Sequence, residues 1–208
     1  MTAQATTQEL MSELYSDSVK EMKGPIFENY RDVLSKYYRS VSGKVKGYLG
    51  RLGLRQDIDD VNVRAENLPT WYAVLFDRGK VHLRPVGKIF GLYDPSTNTL
   101  VVDKTTVPEL GDSVTSDERA MLKAYDIGIP SVERVMGEEH IHHAQKKTGA
   151  MANYISRMGN KARDYLEGAA SSVGDKLFGR TGIYQQEKEQ YRQLVERLGE
   201  RRAFCGAC

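Results

Sequence analysis

Apolar positions along the chain follow two rhythms, one at each end and another between. Leu10, Met11, Leu14, Tyr15, Val19 and Met22 keep to one stripe, with Ser18 in line, and predict an amphipathic helix over residues 7–22. Gly24-Pro25 breaks it, and Pro25 suits the first turn of a second helix. That helix carries Phe27, Tyr30, Leu34, Tyr37, Tyr38 and Val41 and runs on past Gly43 to Leu49. The middle changes period. Residues 71–76 form a β-rich run, Asp77-Arg78-Gly79 is a turn signal, and 80–84 alternate, with Val81 and Leu83 on one face and His82 on the other. His82, alone in a strand, reads as an ordinary surface or core histidine. Val86, Ile89, Phe90, Leu92 and Tyr93 extend the pattern, residues 94–98 have turn chemistry, and 99–103 are the return strand. The prediction is a small, largely antiparallel sheet of three or four strands.

Helical spacing then returns. Ser116 opens a helix with Met121, Leu122 and Tyr125 on its apolar side. Residues 126–130 are a break, and Ser131 precedes a helix carrying Val132, Val135 and Met136. It stops near Thr148-Gly149, where glycine suits the position after the last turn. A further helix runs from about 152 to 178, with Tyr154, Ile155, Met158, Ala162, Tyr165 and Leu166 inward. Residues 179–182 break the chain before a charged helix over 184–202, with Tyr191, Leu194, Val195 and Leu198 on its apolar side. The fold class is α+β, with no internal repeat and no low-complexity segment.

Charge narrows the function classes. Lys plus Arg number 30 against 28 Asp plus Glu, and a net charge of +2 predicts no bulk affinity for polyanions. One segment departs from that balance. Between Val33 and Gln56 there is no acidic residue, while Lys36, Arg39, Lys44, Lys46, Arg51 and Arg55 interleave with Tyr37, Tyr38 and Tyr48. A solvated basic helix face is the preferred account. Nucleic-acid binding through Lys36, Arg39, Lys44 and Lys46 is the alternative. The first residues have neither the basic start nor the apolar run of a signal peptide, and no stretch approaches the length of a membrane span. The two cysteines, Cys205 and Cys208, exclude a disulfide framework and suit a reducing compartment, so a cytoplasmic protein is expected. Their C-x-x-C spacing at the end of the chain reads first as a frayed tail. A tail thiol reaching an open metal position is the alternative.

The chemistry concentrates at residues 135–145, Val-Met-Gly-Glu-Glu-His-Ile-His-His-Ala-Gln, which hold three of the four histidines directly behind two glutamates. On one helix, Glu138 and His142 share a face, and Glu139 lies about a quarter-turn round the axis. Zinc hydrolysis needs three protein ligands, an open position for water and a base. Glu138 and His142 can supply two ligands, Glu139 is placed to be the base, and Glu167, on the next helix, is the candidate third ligand. Gly168, Ala169 and Ala170 beside it would let that helix pack closely on the first. Gln145 is placed to brace His142 by a hydrogen bond. In a shifted register Glu139 and His143 are also four apart, so His140 or His143 are alternative ligands. Glu139-x-x-His142 is also half of a di-iron carboxylate signature. That bundle needs a second Glu-x-x-His and no sheet, and no second one exists here.

The order of sheet, turn-and-return strand, motif helix and glutamate helix over about residues 70–178 resembles the zincin metallopeptidases, in their gluzincin branch. The resemblance implies a zincin-like sheet packed on a motif helix and a glutamate helix. It also implies a peptide or protein substrate laid along the last strand before the motif helix. Carried across, Glu139 matches the catalytic glutamate, His142 the second ligand and Glu167 the third. Glu138 stands where the family has its first histidine, which makes a harder, more anionic site suited to zinc or another divalent metal. The implied organisation is an N-terminal helical extension (1–65), a zincin-like domain (66–182) and a C-terminal helix with the cysteine tail (183–208). The implied function is a metal-dependent peptidase that uses metal-activated water, weakly active or inactive because of the variant motif. The alternative is a non-catalytic interaction protein on the same fold, holding a protein or nucleic acid.

Overall fold

The computed structural model describes residues 27–77, 80–125, 127–181 and 183–206, with the backbone path alone at 27–31, 71–77 and 80–86. The helix expected over 7–22, the side chain of His82 and Cys208 lie outside what is described. In chain order the elements are α1 (Phe27–Arg51), β1 (Asn62–Glu66), β2 (Thr70–Asp77), β3 (Lys80–Lys88), β4 (Gly91–Asp94) and β5 (Thr99–Asp103). They continue with α2 (Ser116–Ala124), α3 (Val132–Lys147), α4 (Ala150–Met158), α5 (Ala162–Phe178), α6 (Gln185–Leu198) and α7 (Glu200–Phe204).

The α+β class stands, but the sheet differs from the one expected. Its strand order is β1-β5-β4, with β4 antiparallel to β5 and β1 parallel to it, while β2 and β3 pair only with each other. The sheet is therefore mixed, and the hairpin stands apart from it. β1 reads Asn-Val-Arg-Ala-Glu, too polar to announce itself, and its pairing is supplied by the distant strand β5. The chain breaks between β3 and β4. There the Ile89 N–H turns to the Pro69 carbonyl, and the Phe90 carbonyl accepts from Asp103 N–H. β5 is buried at all five positions. A strand flanked on both edges and covered on both faces carries a continuous apolar run, here Leu100-Val101-Val102, instead of alternation.

The main core joins Val41, Val45 and Leu49 of α1, Leu100 and Val102 of β5, Val132 and Met136 of α3 and Val173 of α5. Residues 1–65 thus contribute both a strand and core side chains. A smaller core gathers Tyr154, Leu166, Tyr191 and Leu194.

Caps follow the sequence chemistry. Ser131 accepts a hydrogen bond from Arg134 N–H at the start of α3, and Thr115 with Glu118 forms a capping box on α2. The helix expected over 152–178 is two helices, because Gly159 takes φ 54, ψ −123, a backbone conformation that interrupts the ladder. The last helix likewise divides at Gly199. Ile155 and Tyr125, expected inward, are 57% and 59% exposed. Among the described residues no helix is long and apolar enough to cross a membrane.

Candidate functional site

α3 runs through the middle of the protein. From Arg134 to Gln145 every residue is buried except three, Glu138, Glu139 and His142, which are half-buried. Between Arg134 and Gln145 the motif residues are thus the window in an otherwise enclosed stretch of helix. α5 faces that window. His142 Nε2 lies 3.3 Å from Glu167 Oε2, and the other ring nitrogen is fixed from behind. The Gln145 amide nitrogen donates to the Leu166 carbonyl at 3.1 Å, so its oxygen, 2.9 Å from His142 Nδ1, must accept from an Nδ1–H. Nε2 is thereby left to face Glu167, either as the donor of an ion pair or as a bare lone pair for a cation.

Glu138 is held by an arginine absent from the sequence reading. Arg134, one turn earlier and 3% exposed, donates to Glu138 Oε2 at 2.6 Å, to the Ser171 carbonyl and hydroxyl, and to Asp175. Among the described residues Glu138 Oε1 is buried with no hydrogen-bond partner. Gly174 makes room for this arginine, since a Cβ there would sit 2.4 Å from the guanidinium. Gly91 of β4 does the same for the base candidate: a Cβ there would meet Glu139 Oε1 at 2.8 Å. Glu139 therefore packs directly on β4, the outer strand of the three-stranded sheet. Ala169 and Ala170 are fully buried, as their small size suggested, while Gly168 packs on the Glu187 backbone at the start of α6 instead of on α3.

Charge states follow from this geometry. Burial, with Glu138 and Glu167 adding to it, pushes the Glu139 carboxyl up to about 8 against the pull of His142. Burial also raises Glu138, outweighing Arg134 and His142. For His142 burial opposes the charge, but Glu167, Glu139 and Glu138 prevail and raise it to about 10. The same pairing carries Glu167 below the usual carboxylate range in spite of burial. At neutral pH the window holds a His142–Glu167 ion pair beside a protonated Glu139.

His140 and His143, the alternative ligands, are on the opposite face. His143 is partnered at both nitrogens: Asp60 Oδ1 lies 3.2 Å from Nε2, and the Tyr93 hydroxyl, itself 3.1 Å from Asn98 Oδ1, lies 3.0 Å from Nδ1. His140 is fully buried, stacked on His143 and edge-on to Tyr38 of α1, with neither ring nitrogen hydrogen-bonded among the described residues. Burial takes it down to about 3, so it is a neutral core residue.

Two site residues escaped the sequence reading. Arg134 carried a signal, being four residues before Glu138 on one helix face. Tyr184 carried none. It precedes α6 in a left-handed conformation, φ 55, uncommon for a bulky side chain, and burial followed by Glu167, Glu138 and Glu139 raises its hydroxyl. The basic segment is partly spoken for. Lys46 pairs with Asp59 and Arg55 with Asp57, while Lys44 and Arg51 lie over the rings of Phe178 and Tyr48.

The side chains fit a divalent ion in part. Two ligands on a tetrahedral zinc with bonds of ~2.0–2.1 Å stand ~3.3–3.4 Å apart; the His142–Glu167 separation of 3.3 Å matches that edge. Glu138 brings an unpartnered oxygen to the same window. Among the described residues, however, no three acidic, histidine or cysteine side chains converge as a ready-made cage. Comparison with protein-family models, curated proteins and solved structures gives no match for this chain.

Proposed function

We propose that the window between α3 and α5 is a hydrolytic centre of the metallopeptidase type on a zincin-like arrangement. Glu138, His142 and Glu167 would hold a zinc or other divalent ion there, with Glu139 as general base. One observation carries this: along the buried stretch from Arg134 to Gln145 only Glu138, Glu139 and His142 are half-buried, and His142 meets Glu167 across the gap with its far nitrogen already fixed by Gln145. A divalent ion in such a place supplies a Lewis acid that activates water and polarises a carbonyl. The chain's own groups do the rest. Gln145 orients the imidazole, and Arg134 holds Glu138 against the window. Glu139 keeps its proton as the window stands, and a neighbouring positive charge would lower its pKa and free it to accept a proton. β4, on which Glu139 packs, is the outer strand of the sheet, and its outer edge would offer backbone groups to an extended peptide.

The test is the metal content of purified protein, by elemental mass spectrometry, on wild type and His142→Ala, followed by peptide hydrolysis. About one equivalent of a transition metal, lost in His142→Ala, is the expected result. No metal in either, even after reconstitution, sinks the proposal. The alternative is a non-catalytic binding protein on the same fold, favoured by the absence of three converging ligands among the described residues and by the ion pairs that already occupy His142 and Glu138. Glu139→Gln separates the two: hydrolysis lost with folding intact supports the enzyme, and no change in any activity supports the binder.

A further inference from the structure

Beside the window the surface carries two hollows, of about 230 and 330 Å³, that share the wall formed by Ile127, Gly128 and Ile129. The smaller lies over the start of α3 and the end of α5, where it is lined by Pro130, Arg134, Phe178 and Arg180. The larger lies along α2 and is lined by Arg119, Leu122 and Lys123. Every charged residue lining either hollow, among the described residues, is basic, in a protein whose net charge is only +2. The remaining lining is mostly apolar, and Ile129, on the shared wall, is 44% exposed. A second observation links this groove to the site. Arg134, on the floor of the smaller hollow, is the side chain that grips Glu138.

We propose that the groove binds an acidic, apolar stretch of the peptide acted on in the neighbouring window, with acidic side chains set toward Arg119, Lys123 and Arg180. This rests on the metallopeptidase reading and adds a substrate class to it. Opposite charge steers the segment in and discriminates against basic or neutral competitors, while Leu122, Ile127, Ile129 and Phe178 offer apolar area to the side chains between. A peptide fits better than a nucleic acid, since among the described residues no aromatic ring other than Phe178 is available in the lining for base stacking.

The experiment uses the full chain and fluorescein-labelled peptides of alternating leucine and glutamate, or leucine and glutamine, read by fluorescence anisotropy at low salt. Binding is measured in chelator, so that hydrolysis does not interfere. The glutamate peptide should bind about tenfold or more tighter than the glutamine one. The preference should disappear in Arg119→Glu/Lys123→Glu and shrink in Arg180→Glu. All three positions are exposed, and a thermal melt checks folding; the corresponding glutamine substitutions give a graded version if a reversal does not fold. Equal affinity for the two peptides, or a preference untouched by the substitutions, overturns the groove. A labelled oligothymidine that binds more tightly than the peptide and is weakened by the same substitutions overturns it in favour of nucleic acid. Hydrolysis is followed separately, with metal present. Glutamate-selective binding without cleavage would keep the groove and defeat the peptidase reading; cleavage of both peptides at equal rates with no binding preference would do the reverse.

Discussion

The two faces of α3 carry the same residue types and put them to opposite use. Toward α5, His142 is flanked by carboxylates and holds its proton, raised to about 10. Toward α1, His140 is enclosed by Tyr38 and His143 and sheds its proton, lowered to about 3. Two residues of chain separate them. Desolvation disfavours the charged form in both places, and what decides the outcome is whether a carboxylate stands close enough to outweigh it. Glu167 does so for His142 at 3.3 Å. For His140 the carboxylate that acts on it is that of Asp59, already engaged by Lys46 and Ser42. One face is built to hold charge and the other to exclude it.

The largest effect should come from the charged face. Glu139→Gln keeps the shape of the protonated acid but cannot accept a proton, so peptide hydrolysis should fall by about 10²–10⁴-fold, the usual worth of a general base. The melting temperature of the same variant should stay level or rise. Hydrolysis that survives the substitution removes Glu139 from the chemistry.

The neutral face predicts the opposite sign for a histidine substitution. His140→Phe keeps an aromatic ring against Tyr38 and removes two buried nitrogens without partners, so the protein should gain stability, by about 1–3 kcal/mol at most. Chemical denaturation reads this directly. A loss of stability would mean that the ring nitrogens are hydrogen-bonded after all.

Acidity tests both faces in one titration. His140 is depressed from 6.5 to about 3, so its contribution to stability is complete above 6.5 and is lost as the pH falls towards 3. Glu139 and His142 are raised, from 4.5 to about 8 and from 6.5 to about 10, so their contributions are complete at low pH and are lost as the pH rises through those values. Metal-free protein should therefore melt highest near pH 6 and lower on either side. His140→Phe should flatten the acid limb only. A melting temperature that climbs steadily from pH 6 to 9 would contradict the charge states of the window.

The smallest effect concerns the anchor of the neutral face. Tyr93→Phe removes the hydroxyl that bridges His143 Nδ1 and Asn98 Oδ1 and should cost about 1 kcal/mol, with no change in hydrolysis.

Much of the site was legible in the sequence because it is local. The pairing of Glu138 with His142 depends only on helical period, and Ser131 and Gly149 marked the ends of α3 by cap chemistry. Gln145 was within reach of His142 on the same helix, and it makes the hydrogen bond expected of it. Glu167, distant in sequence, stands 3.3 Å from His142 because α3 and α5 pack side by side. The errors have a common origin. β1 is short and polar, so its parallel place beside β5 left no trace in its own pattern. Ile155 and Tyr125 lie at helical spacing yet outside the core, because periodicity names a face but not what covers it. Tyr184 comes to the window through the turn before α6, without any motif.

By itself the sequence determined the motif helix, its caps and the spacing that puts Glu138, Glu139 and His142 on one side, since these follow from 3.6 residues per turn and backbone hydrogen bonds. Only the tertiary structure decided which histidine is charged, which is sealed and which carboxyl keeps its proton. Those properties depend on desolvation and on charges a few ångströms away, and in this protein the charges from outside α3 come from α5, from Lys46 and from residues 59 and 60.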